Sequence, residues 1–177
     1  LALEIFNRNY CEFLCTLGKP ILFSDIYSTF TQGDLSADIL VADNYTASVK
    51  LYSSVIEDCK PKSIGFLGDP DYSLSFQDRF KGFLSVTQKY GFSDSYKNHS
   101  IISNIQNFQN DIWMQNKFKT LEIPNLLVCA NDILAMKALT CLERLNIKVP
   151  DEVMVCGYDG TPAISSLYPA LTTIIAP

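Results

Sequence analysis

The sequence has little of the chemistry on which metal centres and most enzyme active sites depend. Its 177 residues include one histidine, and the six cysteines are too few and too scattered for a disulfide framework in a chain of this length. No second cysteine or histidine pair completes a zinc pattern, and no nucleophile elbow or glycine-rich phosphate loop accompanies the carboxylates. We therefore predict no metal site, no cofactor and no catalytic residue, and we interpret the cysteines as small buried hydrophobic residues in a reducing cytosol.

An excess of positive charge and long hydrophobic runs are also missing. The formal net charge is −5 at pH 7, which argues against direct binding of nucleic acid by this stretch. No apolar run approaches the roughly 18 residues of a membrane span, and no signal peptide opens the sequence. Because an initiator methionine is also missing, we expect a fragment of a longer protein. With 47% hydrophobic residues, the chain has enough apolar side chains for one compact core or two modest ones.

The stretch from Pro124 to Pro177 predicts a strand, a helix and a second strand, with polar residues where the strands end. Residues 126–130 form a short apolar run that is typical of a strand buried on both faces. Asn131, a preferred N-cap, precedes a helix predicted over residues 133–145, and the next strand is predicted over residues 153–156. Asn131 and Asp159 therefore follow successive parallel strands, at the edge where open α/β sheets bind ligands.

The upstream sequence predicts the same alternation of strands and helices. We predict helices over residues 1–17, 43–57, 75–90 and 108–118, and strands over residues 21–23, 39–41, 64–68 and 98–102. Gly18 and Gly91 are predicted to end the helices before them. Asp25 is predicted just past the carboxyl end of its strand, and residues 26–38 are predicted to be a loop.

Three separated motifs give the sequence a family resemblance. AND-x-x-A-x-x-A-L occupies residues 130–139, LNIKVPDEVMVCGYDG occupies 145–160, and YPALTTI occupies 168–174. Together with R-x-x-G-F at residues 79–83, they closely resemble the effector-binding region of the lactose/galactose-repressor (LacI/GalR) transcription regulators. The resemblance implies a type I periplasmic-binding-protein-like fold, which is an α/β architecture of parallel sheets with helices on both faces. Its two subdomains clamp a small ligand between them.

The resemblance also implies how the chain is divided. Residues 1–42 match the end of the N-terminal subdomain of the effector domain, which is incomplete here, and residues 43–172 match the C-terminal subdomain. Residues 173–177 match the crossover back towards the N-terminal subdomain. The DNA-binding headpiece of such regulators is absent from this sequence. Leu167 and Tyr168 match a region at the family's dimer contact, although a core role fits them equally well.

Six residues are implied to bind the effector: Arg79, Asn131, Asp159, Asp25, Ser73 and Ser75. Asp25 is expected to face the others from the N-terminal subdomain. The residue types suit a sugar, because a guanidinium donates to two adjacent hydroxyl oxygens, a carboxylate accepts two hydroxyl protons, and an amide does one of each. Structural alternatives stay open: Asn131 as a helix cap, Arg79 as a solvated helix residue and Asp159 as a turn residue.

These observations predict the effector-sensing part of a bacterial repressor that acts in the cytoplasm as a homodimer. A mono- or disaccharide is expected to bind between the subdomains and to bias their relative angle. DNA is expected to be bound only through a helix-turn-helix headpiece outside this sequence. The alternative is the substrate-binding protein of a sugar transporter, which the segment GYDG at 157–160 fits equally well. VPDEV at 149–153 and the later YPALTTI favour the repressor, and an enzyme has little support.

Overall fold

Parallel strands and covering helices alternate along the whole chain, as the α/β class predicted from the sequence requires. The computed structural model describes residues 1–26, 30, 33–167 and 171–175. The strands are β1 (Ala2–Ile5), β2 (Leu22–Ile26), β3 (Asp38–Leu40), β4 (Ile64–Gly68), β5 (Ile101–Ile102), β6 (Leu126–Cys129) and β7 (Met154–Cys156). The helices are α1 (Arg8–Cys15), α2 (Asn44–Cys59), α3 (Leu74–Tyr90), α4 (Ile105–Phe108), α5 (Asp111–Thr120), α6 (Asp132–Arg144) and α7 (Pro162–Leu167).

The strands form two separate sheets. The first has the order β1-β2-β3 and the second has the order β5-β4-β6-β7, and all the pairings are parallel. Each sheet has its own cluster of buried apolar side chains. The smaller cluster surrounds Phe23 and Ile26 of β2, and the larger one surrounds β4 and β6, whose residues are all buried. Fully burying a Leu or Phe side chain contributes about 1.5–3 kcal/mol, so the second sheet holds most of the hydrophobic stabilisation.

The prediction of one helix over residues 1–17 is wrong at both ends. Residues Ala2–Ile5 form β1, in which Ala2 lies opposite Phe23 and Ile5 lies opposite Ile26. The helix begins only at Arg8, because the side chain of Asn7 accepts a hydrogen bond of 3.0 Å from the backbone N–H of Tyr10. It ends at Cys15, so Gly18 lies beyond its C-cap. A short apolar run fits a strand as well as a helix turn, and only the pairing with β2 decides between them.

Side-chain caps fix the starts of three of the helices that pack against the larger core. Asp43, Ser73 and Asn131 accept hydrogen bonds from backbone N–H groups in the first turns of α2, α3 and α6. The predicted N-cap role of Asn131 is therefore confirmed. Gly91 ends α3 with a φ of 80°, as predicted, in the left-handed conformation that glycine adopts without strain.

The segment between α3 and β6 is more broken than predicted. The strand expected at 98–102 is a 3-10 turn, Tyr96–His99, followed by the two-residue β5. The helix expected at 108–118 is divided into α4 and α5. The side-chain oxygens of Asn104 and Asn110 each cap the start of a helix. The chain therefore forms two short helices where the periodicity predicted a single helix.

After α7 the chain returns alongside β7. The backbone N–H of Gly157 donates to the carbonyl of Thr172 at 2.8 Å, and that of Asp159 donates to the carbonyl of Ile174 at 2.9 Å. Residues 171–175 therefore extend the second sheet in the parallel direction. Tyr168 and residues 176–177, to which the dimer and crossover predictions refer, lie outside the described residues, as does the side chain of Leu167.

Candidate functional site

The predicted ligand-binding residues lie where the carboxyl ends of β4, β6 and β7 meet the end of β2. The helices α3 and α6 begin at this edge, and the loop after β7 passes between them. Hydrogen bonds and one ion pair connect Arg79 with Asp159, and Ser75 with Asp25. Among the described residues, the side chain of Asn131 forms no hydrogen bond with the other predicted site residues, although its neighbour Ala130 contacts Arg79.

Arg79 is the centre of the site. Its side chain is buried, with 6% of the residue exposed, so the alternative of a solvated helix residue does not hold. Its Nη1 donates to the carbonyl of Ala130 at 2.8 Å, its Nη2 lies 3.0 Å from Oδ1 of Asp159, and its Nε donates to Oδ1 of Asn44 at 3.1 Å. The guanidinium also lies 3.7 Å from the ring centroid of Tyr158. Partners on three elements and an aromatic face therefore hold the guanidinium in one orientation.

Asn44 supports Arg79 and was not among the predicted site residues. It is the first residue of α2, and 2% of it is exposed. Its Nδ2 lies 3.2 Å from both the hydroxyl oxygen of Ser75 and the carbonyl of Ala42. Because its Oδ1 accepts from Arg79, one amide links the start of α2 to α3. In the sequence, Asp43-Asn44 marked only the beginning of a helix.

Asp159 combines backbone strain with a partly open carboxylate. Its φ is 108°, which non-glycine residues rarely adopt, and its side chain is 37% exposed. Burial raises the pKa of Asp159 above its usual value of 3.8; Arg79 opposes this shift, while Asp132 and Asp25 add to it. Although Asp159 does lie in a turn, the turn alternative does not account for its contact with Arg79.

Asp25 brings the first sheet to the site. The prediction that it lies just past its strand is wrong by a small margin, because β2 continues to Ile26 and includes it. Its φ is 50°, in the left-handed region that Asp tolerates better than most residues. Its Oδ1 accepts a hydrogen bond of 2.5 Å from the hydroxyl of Ser75 and one of 3.4 Å from the backbone N–H of that residue. A polar contact therefore joins the two sheets.

Ser73 and Asn131 act as helix caps in this structure. The hydroxyl of Ser73 accepts from the backbone N–H of Phe76 at 3.2 Å and is fully buried. The amide oxygen of Asn131 accepts from the backbone N–H of Leu134 at 3.0 Å, so this cap does not use its Nδ2. The side chain of Asn131 is half-buried and reaches the surface, whereas that of Ser73 does not.

Asp132 is a second residue that the sequence analysis missed. It is 1% exposed, its Oδ2 accepts from the backbone N–H of Thr161 at 2.8 Å, and its Oδ1 accepts from the hydroxyl of Thr173 at 2.7 Å. It also fits directly against Gly157, where an added Cβ would lie 2.1 Å from Oδ1 of Asp132. The carboxylate of Asp132 therefore links two segments: the loop that contains Asp159 and the returning segment that contains Thr173.

Neither a metal-binding cluster nor a membrane-spanning helix is found among the described residues. Among residues 1–26, 30, 33–167 and 171–175, no group of His, Cys, Asp and Glu side chains could hold a metal ion. None of the helices in these ranges is long and apolar enough to cross a membrane. A cavity of about 480 Å³ lies beside the first sheet, lined by residues that include Phe30, Ile39 and Leu74, but none of the predicted site residues lines it.

The cysteines behave as packing residues. All six are free, and Cys11, Cys129, Cys141 and Cys156 are buried, while the other two are half-buried. Burial raises the pKa of Cys129 well above its usual value and that of Cys156 to about 12. Thiols held neutral in this way are poor nucleophiles and poor metal ligands.

Comparison with known proteins shows the family of this chain. The model of the periplasmic binding protein-like domain matches residues 60–177. The HTH-type transcriptional regulator RegA of Clostridium saccharobutylicum is 32% identical over 125 residues, covering 66% of this chain and 35% of that protein. The HTH-type transcriptional repressor PurR of Photobacterium profundum is 28% identical over 117 residues, covering 66% of this chain and 34% of that protein.

The solved structures support the fold. A periplasmic binding protein/LacI transcriptional regulator from Alkaliphilus metalliredigens, complexed with D-xylulofuranose, matches with a TM-score of 0.69 and 20% identity. The match covers 90% of this chain and 57% of that one.

The chain spans about a third of the length of the two curated regulators, RegA and PurR. The family resemblance predicted from the motifs is confirmed: the chain belongs to the family of periplasmic binding protein-like domains, in the form found in LacI/GalR-type transcription regulators.

Proposed function

We propose that this chain is the effector-binding part of a LacI/GalR-type transcription repressor. The observation that carries the proposal is the cluster around Arg79, in which α3, the end of β6 and the loop after β7 contribute polar groups to one point. Asp25 faces this cluster from the other sheet through Ser75. A ligand held at this point contacts both sheets, as an effector that biases their relative arrangement must.

The ligand class that the residues favour is a sugar. Asp25 and Asp159 each have a carboxylate oxygen to accept from a hydroxyl, and Asn131 has an amide nitrogen to donate. We propose that Arg79, Asp159, Asn131 and Asp25 contact the ligand directly, and that Ser75 and Ser73 hold the start of α3 in place. The sugar bound to the Alkaliphilus regulator, which shares this fold, supports the same ligand class here.

The family supports a proposal for the organisation of the whole protein. We propose that residues 1–42 end the N-terminal subdomain, residues 43–172 form the C-terminal one, and residues 173–177 cross back. DNA binding belongs to a headpiece outside this chain, the regulator acts as a cytoplasmic homodimer, and the site binds without catalysing a reaction. The relative RegA is named an HTH-type transcriptional regulator and PurR an HTH-type transcriptional repressor, which favours this function over a transporter's binding protein.

The proposal is tested by a thermal-shift screen of the full-length protein against mono- and disaccharides. A ligand at about 100 times its dissociation constant adds about 2.7 kcal/mol to folded stability, which such a screen detects. We expect one sugar to raise the melting temperature of the wild type and of Arg144→Ala, whose side chain is exposed at the far end of α6, but not that of Arg79→Ala. A sugar that stabilises all three proteins equally would move the binding site elsewhere. If no sugar acts, the sugar-sensor function fails.

A further inference from the structure

The charges around Arg79 are unequal in number. Among the described residues that form these contacts, Arg79 is the only cationic side chain, and its carboxylate partner is Asp159. Two further carboxyl groups, those of Asp132 and Asp25, bond to neighbouring residues and lie close enough to Asp159 to act on its charge. Both oxygens of the buried Asp132 accept hydrogen bonds, as those of a carboxylate do. The site is therefore surrounded by more negative than positive charge before any ligand binds.

The positive charge of Arg79 is also already paired. Its Nη2 lies 3.0 Å from Oδ1 of Asp159, and Nη1 and Nε donate to Ala130 and Asn44. Of the five N–H groups of a guanidinium, three thus have partners in the described part of the chain. An anionic ligand would have to displace Asp159 or share the guanidinium with it, and either arrangement places two negative charges side by side.

The helix N-termini at the site do not supply a substitute anion site. In α3, the N–H groups of Ser75 and Phe76 donate to Asp25 and Ser73. In α6, the N–H of Asp132 donates to the carbonyl of Tyr158, and that of Leu134 donates to Asn131. Free backbone N–H groups are what makes a helix N-terminus bind phosphate. These N–H groups are already satisfied, and Asp132 adds a carboxylate to the first turn of α6.

We propose that this site selects uncharged polyhydroxy ligands and rejects their phosphorylated or carboxylated counterparts. This inference rests on the proposed function, because it concerns the ligand of the same site. The hydroxyl groups of a neutral sugar donate to the surrounding carboxylates and accept from the remaining N–H groups of Arg79. A phosphate group carries up to two negative charges near neutral pH and offers only acceptor oxygens. The carboxylates of the site therefore repel the phosphate group. They also cannot form hydrogen bonds with it, because both groups offer only acceptor oxygens.

The test compares matched ligands by calorimetry on the full-length protein: glucose, fructose and ribose, each with its terminal phosphate ester. The 6-O-methyl ether of each hexose is an uncharged control for added bulk. We expect at least about tenfold weaker binding of the phosphate than of the neutral sugar, the size of effect that one like charge ~8 Å away produces in a partly screened site. The methyl ether is expected to lose less than the phosphate.

The outcomes separate this inference from the proposed function. A phosphate that binds as well as its neutral sugar, or better, overturns charge selection while leaving a sugar sensor. A methyl ether as weak as the phosphate overturns it as well, because bulk then explains the discrimination. If no sugar binds in either form, the proposed function and this inference fall together.

A variant tests the cause directly. Asp25→Asn removes one negative charge but keeps an oxygen that accepts from Ser75, and asparagine tolerates the φ of 50° at this position. We expect the phosphate-to-neutral affinity ratio to rise about tenfold. The matched control, Asp58→Asn, lies on the exposed opposite end of α2 and should leave the ratio unchanged. Equal ratios in both variants overturn the inference. If Asp25→Asn does not fold, the comparison of matched ligands on the wild type still decides.

Discussion

Replacing Arg79 by lysine tests how strongly the central contacts hold the site together. Lysine keeps the positive charge but loses the planar fork, so its ammonium can remain close to Asp159 without reaching Asn44 and Ala130 as well. Asn44 is 2% exposed and Ala130 is 0% exposed, so both acceptors would stay buried without a donor. Each such loss costs about 1–3 kcal/mol, so we expect the two together to lower the free energy of unfolding by about 2–6 kcal/mol.

The measurement is urea unfolding of the full-length protein, followed by the fluorescence of Trp113. This tryptophan packs edge-on against Phe108 at 5.6 Å between ring centroids, so its emission reports on the second sheet. With a denaturant dependence of about 2 kcal/mol per molar, the midpoint should fall by about 1–3 M. Arg144→Lys, on the exposed surface, makes the same chemical change without these contacts and should leave the midpoint unchanged. If Arg79→Lys unfolds at the wild-type urea concentration, the contacts of Arg79 with Asn44 and Ala130 do not carry the stability assigned to them.

Three further predictions concern the loop after β7. Asp132→Ala should lower the free energy of unfolding by about 2–4 kcal/mol, because Thr161 and Thr173 lose their hydrogen-bond acceptor. Asp132→Asn should lower it by less than about 1 kcal/mol, since the Thr173 hydroxyl can turn and accept a hydrogen bond from the amide. Equal urea midpoints for the two variants would contradict this. Gly157→Ala should cost about 1–3 kcal/mol through its clash with Asp132, and the cost should shrink in a double-mutant cycle with Asp132→Ala; additive costs would exclude the clash. Burial raises the pKa of Asp159 in the folded state, so protonation of this carboxyl group stabilises the folded protein below the usual pKa of 3.8, and this stabilisation is lost as the pH rises through the raised pKa. Asp159→Asn should lack this pH dependence in urea unfolding between about pH 3 and 6. Identical pH profiles for the variant and the wild type would show that the pKa is not raised.

Elements with local signals could be predicted from the sequence. The strands β4 and β6 are short apolar runs that end at polar residues, and the helices after them start at Ser73 and Asn131, whose side chains cap them locally. The signals of residues 1–7 are not local. Whether residues 1–7 form a strand or a helix depends on pairing with β2, which lies about 20 residues later along the chain. No local pattern in the sequence indicates that pairing.

The same distinction explains what could be predicted of the site. Arg79, Asn131 and Asp159 stand in motifs that read along the chain, so resemblance identified them. Asn44 contacts Arg79, which lies 35 residues later in the sequence, and Asp132 contacts Thr173, which lies 41 residues later. The residues next to Asn44 and Asp132 in the sequence therefore do not indicate these contacts. A buried polar residue whose partners come from distant elements becomes visible only when the fold brings those elements together.

The arrangement also separates two properties of the site that resemblance alone would combine. Arg79, Asp159 and Asn131 belong to elements around the second sheet, so a ligand held only by them gains affinity without linking the sheets. Asp25 belongs to the first sheet and reaches the second through Ser75. A ligand changes the relative arrangement of two bodies only through contacts that differ between their arrangements, and a contact with Asp25 is of that kind. Affinity should therefore depend chiefly on Arg79, whereas the coupling of binding to the arrangement of the sheets should depend on Asp25.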